Sequence, residues 1–251
     1  SCLNQEGSNV EVCVVDDGSL DHTLEVLDRF ADDSRVRVKA LCRNSGKVAA
    51  FNAAYELATG EYIALLGGDD VNTPDRIRRS LECMRTLNAD LVYGDYFVCD
   101  AALHPKSVKV VKVVPSAEKL IFNNKLSGGT FFFRRNVADA VFPIPAKLRF
   151  EDWWIGFVAL SKFNVKKVDA PLIYYRHHGA NDSLAKRGES LKSRDFARHD
   201  EYYNAFLDYV RECGNGVGGL ERALEEARFF KLAYLGQNVQ ARIATALKKR
   251  A

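Results

Sequence analysis

Two pairs of adjacent aspartates stand out among the residues that could do chemistry. Asp69 and Asp70 follow an apolar run and two glycines, Gly67 and Gly68. Neighbouring carboxylates repel each other unless a cation offsets them, and oxygen donors of this kind suit Mg²⁺ or Mn²⁺ shared with substrate phosphates. The alternative is a capped turn before the helix that Pro74 would open. Asp16-Asp17-Gly18-Ser19 has the same form. One carboxylate there could accept from a base N–H or a ribose hydroxyl while the other holds the turn, or both could belong to an Asx-turn and helix cap.

Three further stretches are polar or acidic. Asn44-Ser45-Gly46-Lys47 could place a cation beside a phosphate, although it lacks the frame of a P-loop and Lys47 could simply be solvated. Glu151-Asp152-Trp153-Trp154 joins two acids to two large aromatics. Asp152 could take a proton from a sugar hydroxyl, and indole faces stack well on sugar rings. Equally, this could be a helix start with acids on its dipole and Trp153 and Trp154 in the core. His177-His178 lies in a polar segment after an apolar run, and either a metal or phosphate contact or a surface histidine pair fits it.

The elements that must position these groups alternate. Residues 10–15, 36–40, 62–66 and 90–93 are short apolar runs that predict buried strands. Between them, residues 20–30, 48–59 and 74–87 have helical spacing, the second closed by Gly60 as a C-cap. This rhythm predicts an α/β fold with a mostly parallel sheet flanked by helices, and ligands then sit beyond the carboxyl ends of the strands. Both Asp pairs follow a strand end, so they should converge on one edge. Residues 108–114, 128–134 and 172–175 predict further strands and residues 153–160 a helix. Beyond residue 183 the chain reads as helical, over about 190–213 and 220–249, with a glycine-rich break between. We find neither an internal repeat nor a Pro/Gly/Ser linker.

Composition narrows the classes. The 251 residues are 47% hydrophobic and carry 15 Phe, which excludes a disordered chain. Thirty-six Lys plus Arg against 33 Asp plus Glu leave +3, which argues against a dedicated nucleic-acid binder. Six Cys without a C-x-x-C pair read as reduced thiols in a cytosolic or cytosol-facing domain. No run of 18 apolar residues occurs, and the first residues lack the basic-then-apolar pattern of a signal peptide. Residues 227–251 hold six basic residues and no acidic one. That last helix could pack on the sheet domain or rest on anionic lipid.

Placed in order, these motifs resemble the family 2 inverting glycosyltransferases, which have the GT-A fold. The matching pieces are Val12-Cys13-Val14-Val15-Asp16-Asp17-Gly18-Ser19, Asn44 with Gly46 through Asn52 and Ala53, and residues 65–74. Residues 89–95, Glu151-Asp152, and Tyr175-Arg176 with His178, Asn181 and Ser183 complete the set. The resemblance implies a GT-A-like glycosyltransferase domain over residues 1–185, with a nucleotide-sugar half (about 1–95) and an acceptor half (about 96–185). A helical extension over 186–251 would follow. It implies a nucleotide-sugar donor, most often UDP-linked, contacted by Asp17 with Asp16, by Lys47, and through its diphosphate by Asp69 and His178. It also implies Mn²⁺ or Mg²⁺ on Asp69, Asp70 and His178, and Asp152 as catalytic base with Glu151 beside it. Trp153 and Trp154 would face a saccharide or lipid-linked acceptor. A cytoplasmic protein is expected, with peripheral membrane contact through its basic last helix as a candidate. Self-association is compatible with all of this.

The chain departs from the family pattern in two places. Ser1-Cys2-Leu3-Asn4-Gln5 resembles the end of the helix that follows the family's first strand, so that strand is missing from this sequence. The usual Asp-x-Asp-Asp is here Gly67-Gly68-Asp69-Asp70, which loses the first carboxylate. These departures motivate a rival reading, a catalytically inactive GT-A-like binding or scaffold subunit. A nucleotidyltransferase would need a Gly/Arg-rich loop on a triphosphate, which the chain lacks. No Q-x-x-R-W stretch occurs, so transfer of a single sugar is expected rather than processive synthesis.

Overall fold

The computed structural model describes residues 1–7, 9–111, 116–122, 124, 126–178, 191–214 and 219–227. Asn181, Ser183 and the basic stretch 228–251 lie outside them. A 3-10 turn, Cys2–Asn4, precedes β1 (Val12–Asp16), α1 (Thr23–Asp28), β2 (Val36–Ala40), α2 (Lys47–Leu57) and β3 (Tyr62–Ala64). Then come β4 (Val71–Asn72), α3 (Arg76–Leu87), β5 (Leu91–Cys99), β6 (Pro105–Lys109), α4 (Ala117–Phe122) and β7 (Phe132–Arg134). The remainder is α5 (Arg135–Val141), α6 (Glu151–Lys162), β8 (Val165–Arg176) and α7 (Leu191–Cys213). A last helical stretch covers residues 219–227.

The α/β class holds, and the pairing is more mixed than the sequence rhythm predicts. β1 and β2 form a parallel two-stranded sheet, while the other strands run in the order β3-β7-β5-β8-β4, with β6 on β5. Within this larger sheet only β5–β8 is parallel; β3–β7, β5–β7, β5–β6 and β4–β8 are antiparallel. The reason lies in β7. The chain reaches it from the Gly128-Gly129 turn beside the end of β3, where Leu65 N–H donates to Phe131 O, and can only run back between β3 and β5.

Strand alternation feeds two apolar layers. Leu91, Tyr93, Phe131 and Phe133 join the large core under α5, α6 and α7, while Val92 and Phe132 face a smaller cluster with Met84, Leu172 and Ile173. A strand buried on both faces reads as a continuous apolar run because every residue meets one layer or the other. On α7, Tyr202, Phe206 and Val210 recur every four residues and are fully or almost fully buried. Phe206 stacks on Phe157 with ring centroids 4.0 Å apart.

Helix ends differ in detail from the sequence reading. α2 stops at Leu57 with Ala58 extended, so Gly60 is not its cap. Instead the Glu11 carboxylate accepts from the N–H groups of Thr59 and Gly60, which ties the start of β3 to the residue before β1. α3 starts at Arg76 behind Asp75 rather than at Pro74, and ends on Asn88 in the left-handed region at φ 46°.

Candidate functional site

Asp17, Lys47, Asp69, Asp70, Glu151 and Asp152 all line one open cleft of about 1880 Å³. They reach it from four places, the turn after β1, the start of α2, the turn between β3 and β4 and the first turn of α6, and local bonding explains why. Asp16 is buried and accepts from Ser19 N–H at 3.1 Å, so it closes the turn after β1. Asp17 reaches across to the start of α2, where its two oxygens accept from Ser45 N–H at 2.7 Å and Gly46 N–H at 2.8 Å. Gly46 sits at φ 88°, a conformation side chains rarely adopt, which lets the chain enter the helix at this angle.

Arg176 and Arg76 build the second turn from opposite sides. Arg176 N–H donates to Asp70 Oδ1 at 3.0 Å and its Nε to Asp69 O at 2.9 Å, pinning both acids to the end of β8. Beneath them the fully buried Arg76 donates from Nη2 to Leu65 O and Phe131 O, and from Nη1 to Asn72 Oδ1. Asp69 Oδ2 lies 3.1 Å from His178 Nε2. Burial pushes the Asp70 carboxyl up to about 6; the Arg176 N–H opposes that rise and the neighbouring charge of Asp69 adds to it.

The third element is the first turn of α6. Glu151 is buried and its Oε2 lies 3.0 Å from Lys47 Nζ, which joins α2 to α6 across the cleft. Asp152 is partly buried, and its Oδ1 is shielded from solvent without a hydrogen-bond partner. Burial, and then the charge of Glu151, push the Asp152 carboxyl up to about 7 against the pull of Lys47, Trp153 N–H and the Asn124 side chain. A carboxyl poised there exchanges a proton near neutrality. Tyr202 of α7 fixes this turn: its hydroxyl donates to Phe150 O at 2.9 Å and accepts from Phe150 N–H.

The Gly128-Gly129 turn shows how closely the acid pairs approach. A Cβ at Gly128 would stand 2.9 Å from Glu151 Oε1, and one at Gly129 would stand 3.7 Å from Asp70 Oδ2. The first distance leaves no room for a side chain at Gly128, whereas at Gly129 the tight neighbour is Ile173 Cδ1 at 3.0 Å and Asp70 is in ordinary contact. Gly67 is similarly confined, because a Cβ there would stand 2.9 Å from Asp69 Oδ1.

One expectation is corrected. Trp153 and Trp154 are buried, and their Nε1 atoms donate to Leu120 O at 2.6 Å and Val141 O at 2.9 Å. Trp153 stacks on Tyr202 and Trp154 on Phe206, so both rings are core and neither presents a face to an acceptor. Asp16 is buried, and its Oδ2 closes the turn through Ser19 N–H. Lys47 lines the cleft, where its Nζ lies 3.0 Å from Glu151 Oε2 and 4.8 Å from the centre of the Phe150 ring. Sequence reasoning also missed Arg76, Asn124 and the Gly128-Gly129 turn as parts of the site. Arg76 could have been suspected, since an arginine at the start of an apolar helix face must find buried acceptors.

Among the described residues no three or more His, Cys, Asp or Glu side chains are grouped to cage a metal ion. What Asp69 and Asp70 offer is a pair of adjacent carboxylates, of which Asp70 is raised chiefly by burial, with the charge of Asp69 adding to it and the nearby Arg176 and Arg76 opposing it. Such a pair fits a hard divalent ion that completes its shell with phosphate oxygens and water.

Comparison with known proteins agrees with this architecture. Residues 1–142 match the model of glycosyl transferase family 2. An uncharacterised glycosyltransferase of Nostoc sp. is 29% identical over 230 residues, 82% of this chain and 69% of that protein. The Escherichia coli UDP-Glc:alpha-D-GlcNAc-diphosphoundecaprenol beta-1,3-glucosyltransferase WfaP is 25% identical over 85% of this chain and 88% of its own. Staphylococcus aureus TarS 1–349, solved in complex with UDP-GlcNAc, superposes with a TM-score of 0.61 at 18% identity, covering 82% of this chain and 60% of that one. The α/β fold is therefore GT-A-like, and the chain belongs to glycosyl transferase family 2.

Proposed function

We propose that residues 1–185 form the catalytic domain of an inverting glycosyltransferase that moves one sugar from a nucleotide sugar, UDP-linked, to a saccharide or lipid-linked acceptor. Polysaccharide or glycoconjugate synthesis at the cytoplasmic side of a membrane is the setting this implies. The observation that carries the reading is the partnerless Asp152 Oδ1, shielded from solvent on a cleft that Asp69 and Asp70 also line. The UDP-sugar named for WfaP and the UDP-GlcNAc bound to TarS support the donor class.

In this reading the donor lies along the strand ends, its nucleoside toward Asp17 and its diphosphate toward Asp69 and His178. A Mn²⁺ or Mg²⁺ ion held by Asp69 and Asp70 would neutralise charge on the departing nucleoside diphosphate. Asp152 takes the proton of the acceptor hydroxyl, that oxygen attacks the anomeric carbon, and the carbon–phosphate oxygen bond breaks on the opposite side, which inverts the configuration. Glu151 and Lys47, 3.0 Å apart, hold the first turn of α6 and set the charge that Asp152 feels. Asp152→Asn should lower sugar transfer about 10²–10⁴-fold, the usual worth of a general base, while UDP affinity measured by calorimetry stays within about twofold. Unchanged transfer would sink the assignment. Failure of UDP to bind the parent chain, with or without Mn²⁺, would favour the scaffold reading.

A further inference from the structure

Tyr96 owes its position to a break in the sheet's register. Along β5 and β8, Leu91 to Gly94 pair in step with Val165 to Val168, after which Asp95 faces Pro171 and Tyr96 faces Ile173. Over this short stretch β8 carries three extra residues, Asp169, Ala170 and Leu172. Pro171 has no N–H to give to a ladder. Gly94 leaves room for Leu172, since a Cβ there would stand 2.7 Å from Leu172 Cγ. Bulges re-aim the side chains that follow them. Here they set Tyr96, Ile173 and Tyr175 on one face of the sheet, where the Tyr96 and Tyr175 rings meet edge-on with centroids 5.6 Å apart.

That face looks onto the gap between the two acid pairs. A Cβ at Gly129 would stand 3.0 Å from Ile173 Cδ1 and 3.7 Å from Asp70 Oδ2, and one at Gly128 would stand 3.2 Å from the Asp152 Cβ. The Gly128-Gly129 turn thus reaches from Asp70 to Asp152 with Ile173 against it, and Tyr96 is the neighbour of Ile173 in the sheet. Tyr96 is partly exposed and lines the cleft together with Asp70 and Asp152. Burial raises its hydroxyl above the usual range, and the charges of Tyr175, Asp152 and Asp70 add to the rise, so the phenol keeps its proton at neutral pH. Other aromatics along the cleft are committed elsewhere: Tyr55 stacks on Phe142, Tyr62 stacks on Phe132, and Trp153 is core.

In the displacement described above, the anomeric carbon must sit between a diphosphate at Asp69 and Asp70 and an acceptor oxygen at Asp152. We propose that Tyr96 contacts the hexose being transferred, with its ring against the sugar's C–H face and its hydroxyl on a sugar hydroxyl, and so helps to select the donor. Aromatic rings with one apolar body and one polar tip suit a pyranose, which offers both kinds of surface. Tyr96 is a specificity residue in this role and takes no proton in the reaction. The inference rests on the catalytic reading of the cleft and adds to it a side chain that reads the sugar rather than the nucleotide.

The test compares the binding of UDP with that of UDP-glucose, UDP-galactose and UDP-N-acetylglucosamine, by calorimetry with Mn²⁺ present. The proteins are the parent chain, Tyr96→Phe, Tyr96→Leu and Phe97→Leu. Phe97 is next along β5, turns to the opposite face and stacks on Tyr174 with centroids 5.0 Å apart, so its variant reports on damage to the sheet alone. For the sugar nucleotide that the parent binds most tightly, the dissociation constant relative to that of UDP should rise about fivefold in Tyr96→Phe, the worth of one hydrogen bond. In Tyr96→Leu, which also loses the ring, the rise should reach about tenfold or more. UDP itself should stay within about twofold in all three variants, and Phe97→Leu should leave the ratio unchanged. An unchanged ratio in Tyr96→Leu would overturn the assignment while the donor reading stands. Equal losses for UDP and the sugar nucleotide, or the same change of ratio in Phe97→Leu, would reveal a structural role and overturn it too. A parent chain that binds no UDP would remove the catalytic reading and this inference with it.

Discussion

The two ends of the candidate site are built on unlike foundations. Over residues 9–47, which include β1, α1 and β2, Asp16 is the one buried residue, and Leu24, Val26 and Phe30 are more than 40% exposed. The region of β5, β7, α6 and α7 instead closes around Leu91, Phe133, Phe157 and Phe206, each with essentially no exposure. Both regions are made of similar apolar runs. What separates them is partners: β5 has β7, β8 and β6 beside it and a helix layer on each face, while β1 has β2 alone and α2 on one side. Acids that need a fixed position, Glu151 and Asp152, stand on the packed side. Asp17, which holds a loop through two backbone N–H groups, stands on the sparse one.

The sharpest way to break this comparison is to cut into each side. Arg76→Met strips the Leu65, Phe131 and Asn72 acceptors of a fully buried partner and should cost about 3–5 kcal/mol in urea unfolding, the scale for removing one member of a buried charged network. Phe206→Ala should cost about 3–5 kcal/mol by cavity formation, and Val14→Ala less than about 1 kcal/mol, because the partly exposed valine already sees solvent. A Val14 loss as large as that of Phe206 would show that the β1 region is packed in solution.

A smaller effect concerns protons. Burial and Glu151 raise the Asp152 carboxyl to about 7, above its value in the unfolded chain. The folded state thus favours the protonated acid, and ionising it costs stability as pH rises from about 4 to 7. Asp152→Asn should therefore raise the urea midpoint at pH 8, and the gain should vanish below pH 4. In activity the sign reverses, since a base must be ionised: transfer should rise with pH through this value. Glu151→Gln removes the repelling charge and should move that limb to lower pH, whereas Lys47→Met should move it higher. A limb indifferent to both would place the titrating group elsewhere.

Much of this was legible in the chain itself. Apolar runs ending in Asp16-Asp17 and Asp69-Asp70 placed both turns at strand ends, because a buried strand must surface where polar residues begin. The acids at the start of α6 were legible for the same reason, as favourable company for a helix amino terminus. The tryptophans were not: an aromatic beside an acid reads equally as a sugar platform or as core, and only the arrival of Tyr202 and Phe206 from α7 decides for core. Arg76 escaped notice because two of its three acceptors are main-chain carbonyls, which carry no sequence signal.

By itself the sequence determined the alternation of elements, the edge to which the aspartates come, and the family, since local periodicity and short motifs depend on neighbours along the chain. Tertiary structure alone decided the antiparallel insertion of β7 and the glycine spacer between two acid pairs. Each of these depends on which distant segment fills the space alongside, and that is fixed by packing and by backbone bonds any residue can make.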